Sequence, residues 1–155
     1  MGADLYANGY EKFRKQWEKQ HQAEWDALVA ICERSAEVQA RIEALDDSRY
    51  PVEMYFRDSY NPSSIMARLG LSWWRDVIPM LHKRKHINAS PDVCRKLAEM
   101  VGGAPLTLLT LAEYEKDFGK GSTLDEWNAY FVEKKAALVR FLRICANEGG
   151  CYMSL

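Results

Sequence analysis

A mainly α-helical fold is predicted for this chain. It is expected to form one domain over residues 1–155, a helical bundle with two long helices packed roughly antiparallel, shorter helices, and a small extended segment across one end. Three observations carry that expectation. Apolar residues recur every three or four positions over two long stretches, one near each end of the sequence. Polar residues of the kind that begin helices stand before most of the apolar stretches. Period-two alternation, the mark of a strand, is confined to one short segment.

The first long stretch runs through Tyr10, Phe13, Trp17, His21, Trp25, Leu28, Cys32, Ile42 and Leu45. It reads as one apolar stripe on a helix ending near Leu45, opened by an Asn8–Glu11 capping box. Between Cys32 and Ile42 the stripe thins to Ser35, Ala36 and Gln39, where the helix is expected to bend or outrun its partner. Val52, Met54 and Phe56 then alternate with polar neighbours, and Pro51 before them suits a strand start. Asn61-Pro62 reads as an N-cap with proline at the first helical position, and Gly70 as a left-handed stop. Ser72 opens a helix through Trp73 and Trp74 that Pro79 is expected to break, because proline lacks the amide owed to Arg75.

Ser90-Pro91 repeats the cap-then-proline signature, with Val93, Leu97, Met100 and Val101 as the buried side of a helix closed by Gly102-Gly103. Thr110–Glu113 is a second capping box, opening a short helix to about Phe118. Ser122 begins the last long helix, with Leu124, Trp127, Phe131, Leu138, Phe141, Leu142 and Cys145 as its stripe and Gly149-Gly150 as its stop. Residues 151–155 are too apolar for a frayed terminus and are expected to dock beside residues 52–56, with Asp4 pairing with Arg57 or Arg75.

The 155 residues are 48% hydrophobic and 28% charged, ordinary for a globular domain, and the net charge of −1 argues against a general nucleic-acid binder. No two of Cys32, Cys94, Cys145 and Cys151 stand two to four residues apart as zinc sites require, so no metal and no cofactor is expected. Cys32, Cys94 and Cys145 read as buried reduced thiols. The N-terminal segment shows neither a basic nor an apolar leader pattern, and no apolar run approaches a membrane span. A cytoplasmic protein without a membrane partner is expected.

The segments Tyr55–Pro62 and Leu69–Asp76 mix charged, hydrogen-bonding and aromatic side chains as no other stretch does. From them Arg57, Asp58, Tyr60, Asn61, Trp73, Trp74, Arg75 and Asp76 are the candidate binding residues. Adjacent helical residues point about 100° apart, so one of Trp73 and Trp74 is expected in the core and the other at the surface. Arg57 and Arg75 can hold a carboxylate or phosphate bidentately, with Tyr60 and Asn61 giving directional hydrogen bonds. The competing structural account is an Arg–Asp network tying a strand end to a helix start. In the basic run His82–His86, Lys83, Arg84 and Lys85 can contact phosphates, although a solvated loop after a helix, whose C-terminal dipole favours cations, is the leading account. Gly119–Thr123 has the wrong spacing for a phosphate loop, and no nucleophile elbow or marked acid–base pair occurs.

Met1-Gly-Ala-Asp-Leu-Tyr6, Tyr55–Asn61 and Leu69–Trp74 together resemble segments of a family of small uncharacterised bacterial proteins. The resemblance implies a bacterial or phage origin and carries no activity. The residues themselves lean away from an enzyme. They point to a binding protein acting on a protein partner, of regulator, immunity or inhibitor type, through the Arg/Asp/Tyr/Trp cluster. A small-molecule or nucleotide-phosphate ligand held by Arg57, Asp58, Tyr60 and Asn61 is the alternative, with or without acid–base chemistry at Asp58 and Tyr60. Nucleic-acid binding through residues 82–96 is the third.

Overall fold

The computed structural model describes residues 2–84 and 86–155. Mainly α-helical structure is joined to a five-stranded antiparallel sheet that period counting did not anticipate. Strand β1 (Gly2–Ala7) leads into α1 (Tyr10–Val29) and α2 (Ala36–Arg49). Strand β2 (Tyr55–Ser59) and a short α3 (Ile65–Arg68) follow. A π-helical turn (Trp73–Val77) and a 3-10 turn (Ile78–Met80) lead to β3 (His82–Arg84) and β4 (His86–Ala89). The chain closes with α4 (Pro91–Gly103), α5 (Leu111–Glu113, prolonged by a π turn over Tyr114–Phe118), α6 (Leu124–Asn147) and β5 (Cys151–Ser154).

The strand order is β2-β1-β5-β4-β3, so strands from the two ends of the sequence sit side by side at the centre of the sheet. Along β1 the side chains alternate, Ala3, Leu5 and Ala7 inward and Asp4 and Tyr6 outward, as a sheet with one buried face requires. The inner face meets α4 and α6. There Leu5, Phe56, Cys151 and Met153 share one core with Cys94, Leu97 and Val101 of α4 and Phe131, Leu138, Phe141 and Cys145 of α6.

Several local expectations are corrected. The first helix does not run unbroken to Leu45: α1 and α2 form a hairpin. Arg34 donates to the Val29 and Ile31 carbonyls, and Ser35 caps α2 by accepting from the Val38 amide. The thin stripe is thus a turn, and Cys32 within it is exposed rather than buried. Asn8 does not cap α1; its amide donates to the Gly149 carbonyl, and Gly9 takes the cap position without a side-chain bond.

The extended segment is Tyr55–Ser59 rather than Val52–Phe56, because residues 51–55 form a hydrogen-bonded turn on the Pro51 carbonyl. Asn61 does not cap a helix either. Its side chain accepts from the Ser63 amide in a local turn, and Ser64 caps α3 instead. Thr123, one residue beyond the expected Ser122, caps α6.

Of the basic run, the backbone of His82–Arg84 lies on β3 and that of His86 on the antiparallel β4, with His82 opposite Asn88, where a loop was expected. The tail does dock, yet not against β2. It pairs with β1 and β4, and β1 stands between it and β2. At the turn into that tail, Gly150 has φ +88° and a Cβ there would collide with the Ala89 carbonyl, so only glycine fits.

Candidate functional site

Asp58 lies on β2 facing inward and is completely buried. A buried carboxylate persists only when charge and hydrogen bonds compensate its lost hydration. Here the Ser64 hydroxyl and the Trp73 indole N–H each donate to Oδ2 at 2.8 Å. The Ile65 amide donates to Oδ1 at 2.8 Å, with the Met66 amide at 3.4 Å from Oδ2. The Lys134 ammonium of α6, itself nearly buried, stands 3.1 Å from Oδ1. The first amides of α3 thus point at the carboxylate, and three elements are tied to one side chain: α3 through its amides, the π turn through Trp73, and α6 through Lys134.

Trp73 is buried while Trp74 is 59% exposed, the division expected of adjacent residues on one helical turn. Tyr60, 37% exposed, places its ring 6.5 Å from that of Trp74. Between them lies a surface pocket of about 370 Å³ bordered by Ser64, Ala67, Leu71, Ser72 and Trp73. The floor is therefore made from two of the groups that hold Asp58. Burial raises the Tyr60 phenol pKa first, and the negative charges of Asp4 and Asp58 add to it, so its hydroxyl is a donor at neutral pH.

The remaining candidates divide. Arg57 points outward on β2, its Nε 3.7 Å from Asp4, as the sequence suggested. The Tyr55 hydroxyl donates to the same carboxylate; burial, and then that bond, push the phenol pKa up. Arg75 forks across Asp76 at 3.1 and 2.7 Å and donates to the Gly70 carbonyl at 3.0 Å. That fork holds the Asp76 carboxyl below its ordinary range, helped by the Ser72 amide. Asn61 accepts from Ser59 and Ser63 within its own turn. Asp58 is buried within its hydrogen bonds and Asp76 is held by Arg75 and the Ser72 amide, whereas Tyr60, Asn61, Trp74, Arg57 and Arg75 reach solvent, the two arginines while paired with Asp4 and Asp76. Lys83 and Arg84 fall on β3, and Lys85 lies outside the described residues.

Sequence reasoning missed Lys134 and Ser64. Lys134 stands three residues after Phe131 and four before Leu138, two fully buried positions of α6. A cation at that phase of an apolar stripe was the available signal for a buried partner.

Among the described residues no group of three or more His, Cys, Asp or Glu side chains is placed to hold a metal ion. Cys94 and Cys151 meet at 3.7 Å beneath β5. Contacts with the Cys145 and Cys94 thiols, together with burial, push the Cys151 pKa up and keep it protonated. No helix among the described residues is long and apolar enough to cross a membrane. Compared with known proteins, the chain matches no family model, no curated protein and no solved structure.

Proposed function

We propose that this chain is a non-enzymatic, cytoplasmic binding protein of bacterial or phage origin that captures a protein partner at the Tyr60–Trp74 pocket. Its 155 residues would act as one helical domain behind that surface. The observation that supports it most is the pairing of Trp74, 59% exposed, with a pocket lined by Trp73, whose indole is bonded to the buried Asp58. An exposed indole forfeits apolar burial in the free protein and regains it when a partner side chain fills the slot beside it. Tryptophan, tyrosine and arginine are also the residues that most often dominate binding energy at protein interfaces. Tyr60, Trp74 and Arg57 supply one of each.

The internal use of Asp58 favours binding over acid–base catalysis. Its carboxylate already accepts from four donors and pairs with Lys134, leaving it poorly placed to take a substrate proton.

The test is affinity capture from the native host with wild-type and Trp74→Ala protein as baits, read by mass spectrometry. A partner bound through this pocket should lose at least about 2 kcal/mol of affinity, about 30-fold, in the variant. Equal recovery by a folded Trp74→Ala bait defeats the assignment.

A small-molecule ligand at the same pocket is the second reading, favoured by a volume of about 370 Å³, within the usual range for such sites of roughly 300–1,000 Å³. Native mass spectrometry of the purified protein separates the two, by showing an adduct that Trp74→Ala lacks. Nucleic-acid binding through residues 82–96 would show as a DNA or RNA mobility shift that weakens steeply with salt.

A further inference from the structure

Helix α6 needs only one apolar face to pack on α4 and the sheet, and Phe131, Leu138, Phe141, Leu142, Cys145 and Ala146 supply it. Yet α6 carries a second apolar line. Val132, Ala136, Val139 and Ile144 border an open groove of about 630 Å³ between the outer side of α6 and the end of α4 at Gly102. Val132 is 55% exposed, an aliphatic side chain that the fold itself does not cover. The aliphatic line runs from Val132 through Ala136 to Val139, about 10 Å at 1.5 Å per residue or two helical turns, and Arg140, Arg143 and Asn147 continue the groove for about two turns more.

The border of this groove is cationic. Lys135, Arg140 and Arg143 line it, and among the described residues no carboxylate does. Lys135 is spent on the fold, because its ammonium caps α4 by donating to the Ala104 carbonyl at 2.6 Å. The two arginines are not. Arg140 has only a loose contact with Glu133 at 3.8 Å, both groups more than half exposed. Arg143 has no ion pair among the described residues.

A nucleic acid would be expected to use aromatic stacking or a wider basic field, and this floor is aliphatic on a chain of net charge −1. An aliphatic floor two turns long that runs on into two guanidinium groups without a tight ion pair among the described residues matches one kind of occupant. We propose that the α6 groove docks an acidic amphipathic helix of a protein partner. Its apolar residues at i, i+4 and i+7 would lie on Val132, Ala136 and Val139, and its carboxylates would meet Arg140 and Arg143.

The surface is separate from the Tyr60–Trp74 pocket. Lys134, which reaches toward the Asp58 side, lies about 200° around the helix from Val132 and Ala136. The inference therefore does not depend on the function proposed above.

The test is to pan a displayed library of helical 16-residue peptides, random in composition, against the full-length protein. Enriched sequences should carry an apolar stripe flanked by Asp and Glu. Their affinity, measured by fluorescence anisotropy, should fall at least tenfold for the double variant Arg140→Glu/Arg143→Glu and for Ala136→Asp, while Trp74→Ala binds them unchanged. These positions are exposed, so circular dichroism of each variant should match wild type. No enrichment of acidic amphipathic sequences overturns the proposal, as does binding that ignores the arginine reversals. Sedimentation with phosphatidylserine vesicles through the same arginines, with no peptide enriched, would identify an anionic membrane surface as the occupant and equally overturn it.

Discussion

At Asp58 a single side chain on β2 bonds to α3, the π turn and α6. Its carboxylate and the Lys134 ammonium were both removed from water, a cost their attraction offsets only while the hydrogen bonds around them persist. Removing one partner strands the other. Asp58→Asn and Lys134→Met should each cost about 3–5 kcal/mol in urea unfolding. The double variant should cost clearly less than the sum of the two, because the stranded charge is gone. Additive losses would show that the pair is not coupled. Trp74→Ala, by contrast, removes an exposed ring, and its unfolding free energy should stay within about 0.5 kcal/mol of wild type. A larger loss would mean that the indole serves the fold rather than an interface. These two measurements separate the part of the Tyr55–Asp76 cluster that is framework from the part that faces outward.

At the scale of elements, the sequence was most readable where a helix announces its own start. Ser90 before Pro91 and Thr110 with Glu113 cap as expected, and the Thr110 box is complete in both directions. These signals lie within four residues, so no long-range knowledge is needed. Strand β2 was misplaced for the opposite reason. Its inward residues are Phe56 and Asp58, and a buried aspartate breaks the apolar alternation by which strands are recognised. The residue that organises the site thus disguised the element that carries it. The α1–α2 turn was hidden differently, since Arg34 and Ser35 satisfy the helix ends at a place where the apolar stripe had only thinned.

The Thr110 box also yields a pH test. The Thr110 backbone amide, and after it Arg68, hold the Glu113 carboxyl below its ordinary range. A depressed folded pKa stabilises the fold fully above the unfolded value, about 4.3, and the contribution is lost as pH falls through the folded value. Glu113→Gln should therefore lower Tm at pH 7, and the gap to wild type should close as the pH drops below about 4. A gap independent of pH would assign the loss to packing instead of charge.

For the whole molecule, the sheet rather than any helix joins the two ends of the chain, and it was the least readable feature. Leu5 faces Met153 and Phe56 across ladders that join positions far apart in sequence, and no local pattern encodes such pairing. The apolar character of both chain ends was the one trace of it, enough to predict docking and too little to predict register. Aromatic contacts extend the sheet to the α1–α2 hairpin: Tyr6 stacks on Tyr152 at 4.7 Å and meets Tyr10 of α1 at 5.0 Å. Burial, with neighbouring Tyr50 and Tyr6, raises Tyr10 to about 12. Because β5 stands between β1 and β4, deleting residues 151–155 does more than trim a terminus. It removes the buried Cys151 and Met153 side chains and divides the sheet into β2-β1 and β4-β3. Losing a buried Met alone costs about 2–5 kcal/mol, and each kcal/mol moves a domain of this size by about 2–4 °C. With the ladder bonds gone as well, the truncated chain should melt at least about 10 °C lower, or lose its cooperative transition. A shift under about 3 °C would mean that β1 and β4 close on each other without the tail, and that β5 is not the strand on which the sheet depends.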